Sequence, residues 1–162
     1  MYNANLENQL ISVDIPLLMQ DYTSIQLDID ELKIKAAAWV AQRIDLKVIG
    51  KENIERCRNP QNESDEKLRD LVIPAWCYFT YYRSLRMFQG TLTDGGFTVE
   101  SDAESINVAK TASNTIKSIA EEFLKDVLEF INAENPQSSQ IDTKDIVTGV
   151  RVFGGKENRG SN

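Results

Sequence analysis

Apolar residues recur at steps of three and four through most of this chain, and the pattern breaks where Gly, Pro and polar residues collect. In "ELKIKAAAWVAQRIDLKVIG", Ile34, Ala37, Ala38, Ala41 and Ile44 share one helical face. Asp28 and Asp30 ahead of it suit the positive end of a helix dipole, and Gly50 suits its far end. The spacing predicts a helix from about Asp30 to Leu46, whose three consecutive alanines let another backbone approach closely. "KENIERCRN" then reads as one or two further turns, and "NPQNESDE" as a polar connection.

The next segment, "SDEKLRDLVIPAWCYFTYYRSLRMFQG", opens with Ser64, Asp65 and Glu66, which favour a helix N-terminus, and closes at Gly90. Pro74 lies inside it without a donor for the Asp70 carbonyl, which predicts a kink. Beyond the proline, Ala75, Trp76, Cys77, Tyr78, Phe79, Tyr81 and Tyr82 leave almost no polar face. A helix of this kind is buried on most sides, and burial by neighbouring copies is expected, with Trp76, Tyr78 and Tyr82 as the subunit-packing residues. In the last periodic segment, Ile106, Ala109, Ser113, Ile116, Ala120, Phe123, Val127 and Phe130 form a stripe that Leu124, Leu128 and Ile131 widen. An antiparallel pairing with the aromatic helix satisfies it, and Asn135 with Pro136 ends it.

Between these two helices stands "TLTDGGFTVES", Thr91 to Ser101. Thr91, Thr93, Thr98 and Val99 suit extended backbone, and Asp94, Gly95 and Gly96 accept the positive φ of a tight turn. The segment predicts a β-hairpin where a short loop would serve. Such a projection implies a partner, with Thr93, Asp94, Phe97 and Val99 as candidate contacts. The flanks differ from this middle. Residues 1–28 carry short apolar clusters interrupted by Pro16 and read as an N-terminal arm or short elements. Residues 136–162 are polar except for a strand-like run of Ile146, Val147, Val150, Val152 and Phe153, closed by Gly154 and Gly155. These five are candidate partner contacts of a C-terminal arm that pairs with the hairpin or adds a strand to another chain. The fold class that follows is mainly α: an antiparallel helical bundle over 29–135, a β-hairpin excursion at 91–101, an N-terminal arm at 1–28 and an extended C-terminal tail.

Composition narrows the chemistry. The chain has 162 residues, a net charge of −7 and no histidine. The absence of His removes the commonest general base and transition-metal ligand, and neither catalytic nor metal-binding residues nor a cofactor are assigned, so no enzyme is expected. The adjacent acids Asp65–Glu66 and Glu121–Glu122 point about 100° apart on a helix and read as surface. Cys57 and Cys77 read as free thiols in a chain kept in a reducing cytoplasm, with neither a signal segment nor a membrane span. The acidic balance disfavours coating nucleic acid. Arg43, Lys47, Lys51, Arg56 and Arg58 nevertheless concentrate in one region, while residues 1–28 hold four acids and no Lys or Arg. This asymmetry suits one subunit edge meeting another.

The succession "LKVIGKENIERCRN", "PAWCYFTYYRSLRMFQG" and "TLTDGGFTVESDAES" ahead of a long last helix resembles the head–tail connector proteins of tailed bacteriophages, also called adaptor or head-completion proteins. The turn Thr93-Asp94-Gly95-Gly96, followed by Phe97-Thr98-Val99-Glu100, is similar to their "TDSG"-like turn and following strand. The resemblance implies a structural virion protein in a ring, commonly a dodecamer, that binds the portal protein at the capsid vertex and offers a platform to the next connector or tail protein. It implies DNA passing through the lumen without specific binding, no membrane partner, and residence in the host cytoplasm during assembly. Two other readings stay open: a DNA-packaging recognition subunit like the small terminase rings, and a small cytoplasmic helical protein-binding module. The first calls for a basic helix-turn-helix, which the charge pattern opposes.

Overall fold

The structure of the protein, a computed structural model, describes residues 8–23, 31–88, 92–93, 96–97 and 103–136, with side chains over 8–23, 31–85 and 110–136. It is mainly helical. Five α-helices follow in order, α1 (Ile15–Thr23), α2 (Glu31–Ile44), α3 (Lys51–Arg58), α4 (Glu63–Phe88) and α5 (Ala103–Glu134), with a 3-10 turn at Leu46–Ile49 between α2 and α3.

α4, which beyond Pro74 has almost no polar face, is the axis of the domain. It packs against α5, α2, α1 and α3, so Trp76 and Cys77 are fully buried and Tyr82 nearly so within a single chain. This corrects the expectation that neighbouring copies cover Trp76 and Tyr82. Trp76 and Tyr82 already have their cover, and Tyr78, half-buried, stacks on Phe123 of α5 with ring centroids 5.5 Å apart. The physical reason is the number of helices around α4, two of which, α1 and α3, are too short to announce a stripe of their own. Pro74 is buried and α4 runs through it without a break.

α1 arises from the segment expected to be an arm or short elements. Pro16 sits in its first turn, where its missing N–H would have no intrahelical acceptor, and the Asp14 carbonyl accepts from the Leu17 and Leu18 amides, both at 3.0 Å. Leu10, Ile11, Ile15 and Met19 are buried in the common core. In α2, Ile34, Ala37, Ala38 and Ala41 face inward as the spacing predicts, but Ile44 is 58% exposed. The helix ends there, and the chain turns away through the 3-10 turn to Gly50. Gly50 has φ 84° and ψ 152°, and its carbonyl accepts the Ile54 amide to start α3.

At the other end of the connection, α4 begins with Asn62 as its cap: the Asn62 carboxamide oxygen accepts the Asp65 amide at 3.0 Å. Asp65 in turn reaches back to accept the Gln61 amide at 3.0 Å, much as a capping box does. Along α5 the buried line is Ser113, Ala120, Leu124, Val127, Leu128 and Ile131. Ser113, Ala120 and Val127 belong to the expected stripe, whereas its other members Ile116, Phe123 and Phe130 lie half-buried on the flank.

Between α4 and α5, residues Leu92–Thr93 (β1) and Gly96–Phe97 (β2) pair antiparallel, Leu92 with Phe97 and Thr93 with Gly96. This two-residue ladder is the whole of the β structure among the described residues, and a hairpin finger spanning 91–101 is not established by it. Gly90, Asp94, Val99 and the C-terminal run of Ile146, Val147, Val150, Val152 and Phe153 lie outside the described residues.

Candidate functional site

The polar architecture of the domain concentrates in three places, each joining segments far apart in sequence. At the first, Arg56 of α3 reaches the start of α4 and the end of α5 together. Its Nε donates to Asp65 at 2.6 Å, one terminal nitrogen donates to Glu134 at 2.9 Å and to Asn53 at 3.0 Å, and the other donates to Glu134 at 3.2 Å and Ser64 at 3.3 Å. Ser64 also donates to Glu134. The guanidinium beside them holds both carboxyl groups below their ordinary range, and their charges push the arginine further up. This saturated pairing makes Asp65 an anchor rather than an acid–base group.

At the second, Arg83 of α4 grips Asp45 with two bonds, 2.8 and 2.7 Å long, so the exit of α2 is fixed to α4 by a bidentate fork. At the third, the Gln42 side chain bridges the N-terminal segment: it accepts the Ile11 amide at 2.9 Å and donates to the Gln9 carbonyl at 2.7 Å. None of the three is a cleft with an unsatisfied reactive group. Cys57 and Cys77 are buried, and burial pushes each thiol up to about 12, which keeps them protonated and poor nucleophiles. Among the described residues no group of three or more His, Cys, Asp or Glu is placed to hold a metal ion, and no helix is long and apolar enough to cross a membrane.

The basic concentration seen in the sequence divides in space. Arg56 is consumed by the hub, and Arg58 pairs with Glu55 at 2.5 Å and donates to the Asn8 carbonyl. Arg43, Lys47 and Lys51 remain exposed, Arg43 lying 4.9 Å over the Trp39 ring. Large apolar residues are exposed as well: Leu32 and Ile44 on α2 are 55% and 58% exposed, and Leu17 on α1 is 61% exposed. Of the residues predicted to meet partners, Trp76 and Tyr82 are buried within the chain and Tyr78 is half-buried against Phe123. Thr93 and Phe97 lie in the paired strands, while Asp94, Val99 and the five C-terminal residues are outside the described part.

Sequence reasoning missed the hub, Gln42 and the outward face of α2. The last left a local signal, since Leu32, Ala36, Val40 and Ile44 recur at every fourth position and run beside the alanine face rather than within it. A family model described as a family of unknown function (DUF6712) matches residues 45–144, a stretch that contains the hub, all of α4 and all of α5. No curated protein and no solved structure matches the chain.

Proposed function

The chain belongs to DUF6712, and we propose that it is a structural virion protein of a tailed bacteriophage, a head–tail connector that forms a ring between the portal and the tail. The observation that carries this reading is the α4–α5 pair. Two long helices pack on each other and are joined through Thr91–Ser101, where β1 and β2 fold back on one another. This is the order of elements on which the resemblance to connector proteins rests. The polar groups support a scaffold, because Arg56, Arg83 and Gln42 are spent on tying segments together and leave no reactive cluster among them. The net charge of −7 suits a lumen that lets DNA pass without holding it.

In this reading the hairpin, through Thr93, Asp94, Phe97 and Val99, docks on the portal or the next connector layer. The C-terminal arm, through Ile146, Val147, Val150, Val152 and Phe153, adds a strand to a neighbouring protein. The protein assembles in the host cytoplasm and resides at the capsid vertex. The test is assembly of heads onto tails with the double variant Phe97→Ser, Val99→Ser. Helical circular dichroism should stay at the wild-type level while heads fail to join tails. Normal joining by the variant removes the hairpin's role. A wild-type chain that neither binds the portal protein nor appears as rings beside it in negative stain overturns the connector function itself.

A further inference from the structure

Helix α3 is eight residues long, and Cys57 alone of them is buried. Ile54 adds a partly buried contact with the core. The helix packs on α4 and meets the 3-10 turn, with at most slight contact to any other element. So small an apolar anchor leaves its two long arginines to fix its place. Arg56 and Arg58 are two positions apart, which puts them about 200° apart around the helix. Accordingly they serve different neighbours. Arg56 bonds Glu134 in the last turn of α5, together with Asp65 and Ser64 at the start of α4. Arg58 bonds the Asn8 carbonyl, at the head of the segment that carries Leu10 and Ile11 into the core.

The two grips are unequal. Arg56 makes five hydrogen bonds, whereas Arg58 has Glu55 and Asn8 as partners and its buried Nε has none among the described residues. An unpaired buried donor weighs against the closed arrangement, and opening to water relieves it.

We infer that α3 is a clasp that couples the end of α5 to the N-terminal segment: when Glu134 lets go of Arg56, α3 loosens on α4 and the hold of Arg58 on Asn8 weakens with it. Asp65 keeps part of the grip on Arg56, and Gln42 keeps Gln9 and Ile11. The effect is therefore a shift in how often the segment opens. What opening uncovers is Leu10 and Ile11, only 4% and 3% exposed when closed. A partner that takes hold of the chain just beyond Glu134 thus makes an apolar docking strip available to a second partner, and the first contact becomes a condition of the second. The inference rests on the connector reading only for who those partners are, a neighbouring subunit and the next connector layer.

The experiment is native-state hydrogen exchange on the full chain, following the Ile11 amide, which donates to the Gln42 side chain, against amides in the middle of α4. Arg58→Met and Glu134→Ala should each speed Ile11 exchange by on the order of tenfold. Because the coupling passes through Arg58, the double variant should exchange no faster than Arg58→Met alone. Trp76→Phe, which touches α2 and α4 but not α3, should speed exchange in α4 and leave Ile11 at the wild-type rate, since the opening is local. Should Glu134→Ala lose helical content by circular dichroism, Glu134→Gln replaces it with the same sign of effect. An Ile11 rate unmoved by the Glu134 variant, additive effects in the double variant, or acceleration of Ile11 by Trp76→Phe each overturns the inference. Coupling that holds in a chain that ignores portal protein leaves the clasp standing and overturns the connector reading. Portal binding by a chain whose Ile11 amide is blind to Glu134 does the reverse.

Discussion

The indole N–H of Trp76, fully buried at the centre of α4, donates to the backbone carbonyl of Ala38 on α2 at 2.9 Å. Small residues make this bond reachable: Ala37, Ala38 and Ala41 have no side chain long enough to hold the two helices apart. The indole thereby fills the space between them with its one polar atom satisfied. The alanine run and the single large aromatic are two halves of one packing solution.

Trp76→Phe should therefore destabilise the folded chain by about 1–3 kcal/mol, from the lost bond together with the volume no longer filled. Urea unfolding followed by circular dichroism measures it. Because Trp76 is covered inside one subunit, the same variant should leave self-association at the wild-type level. A change in association with unchanged stability would return Trp76 to the subunit surface.

The Arg56 hub predicts a pH dependence with a definite sign. Glu134 and Asp65 have ordinary values of 4.5 and 3.8, and both are lowered in the folded chain, first of all by their hydrogen bonds to Arg56. The unfolded chain therefore takes up protons first as the pH falls. The stability these groups contribute is complete above their ordinary values and is lost as the pH drops through the folded ones. Wild-type stability should decline as the pH falls below about 5, and Arg56→Met should be less stable at neutral pH and show a shallower decline. Parallel pH profiles of unfolding midpoint for the two proteins would show that the hub contributes nothing to this dependence.

Periodicity alone located α2, α4 and α5, because each buries a stripe long enough to repeat several times. It failed where burial is decided by partners remote in sequence. Only Ile15 and Met19 of α1 are buried within the helix, too few to set a period, and Pro16 reads as a break unless its place in the first turn is known. Ser64, Asp65 and Glu66 together mark the start of α4 in the sequence, yet Ser64 is spent on Glu134 and Arg56, while Asn62 does the capping. Arg56 and Glu134 are 78 residues apart, and no local pattern links them. On α5, Ser113, Ala120 and Val127 of the expected stripe are buried together with Leu124, Leu128 and Ile131, while Ile116, Phe123 and Phe130 are only half-buried, and this has a similar cause. The sequence offers a broad apolar sector on that helix, and only the position of α4 decides which edge of it is the centre.

Gly50 makes a backbone prediction that side-chain packing does not confound. Its φ of 84° with ψ of 152° is a conformation essentially confined to glycine, and a Cβ built there meets no atom within 4 Å. Gly50→Ala should cost about 1–3 kcal/mol through backbone strain alone. Replacement by D-alanine, made by ligation of synthetic segments, should restore most of the loss. Equal destabilisation by both enantiomers would place the cause in contacts instead.

Gln42 carries the last prediction, which concerns how the N-terminal segment is held. Its carboxamide offers one acceptor to the Ile11 amide and one donor to the Gln9 carbonyl, and this places Leu10 and Ile11 in the core, 4% and 3% exposed. Gln42→Leu keeps the apolar volume but leaves the buried Ile11 amide without its acceptor, at a cost of about 1–3 kcal/mol. Gln42→Glu keeps the acceptor and loses the donor, so the Gln9 carbonyl then faces a carboxylate and the bridge fails from its other end. Both variants should speed cleavage in the segment before Ile15 under limited proteolysis, while the bonds within α4 and α5 stay protected, because opening of the segment need not unfold the helices behind it. Mass spectrometry of the early fragments distinguishes the outcomes. Cleavage first inside α4 or α5 would mean that Gln42 supports the whole core rather than the N-terminal segment.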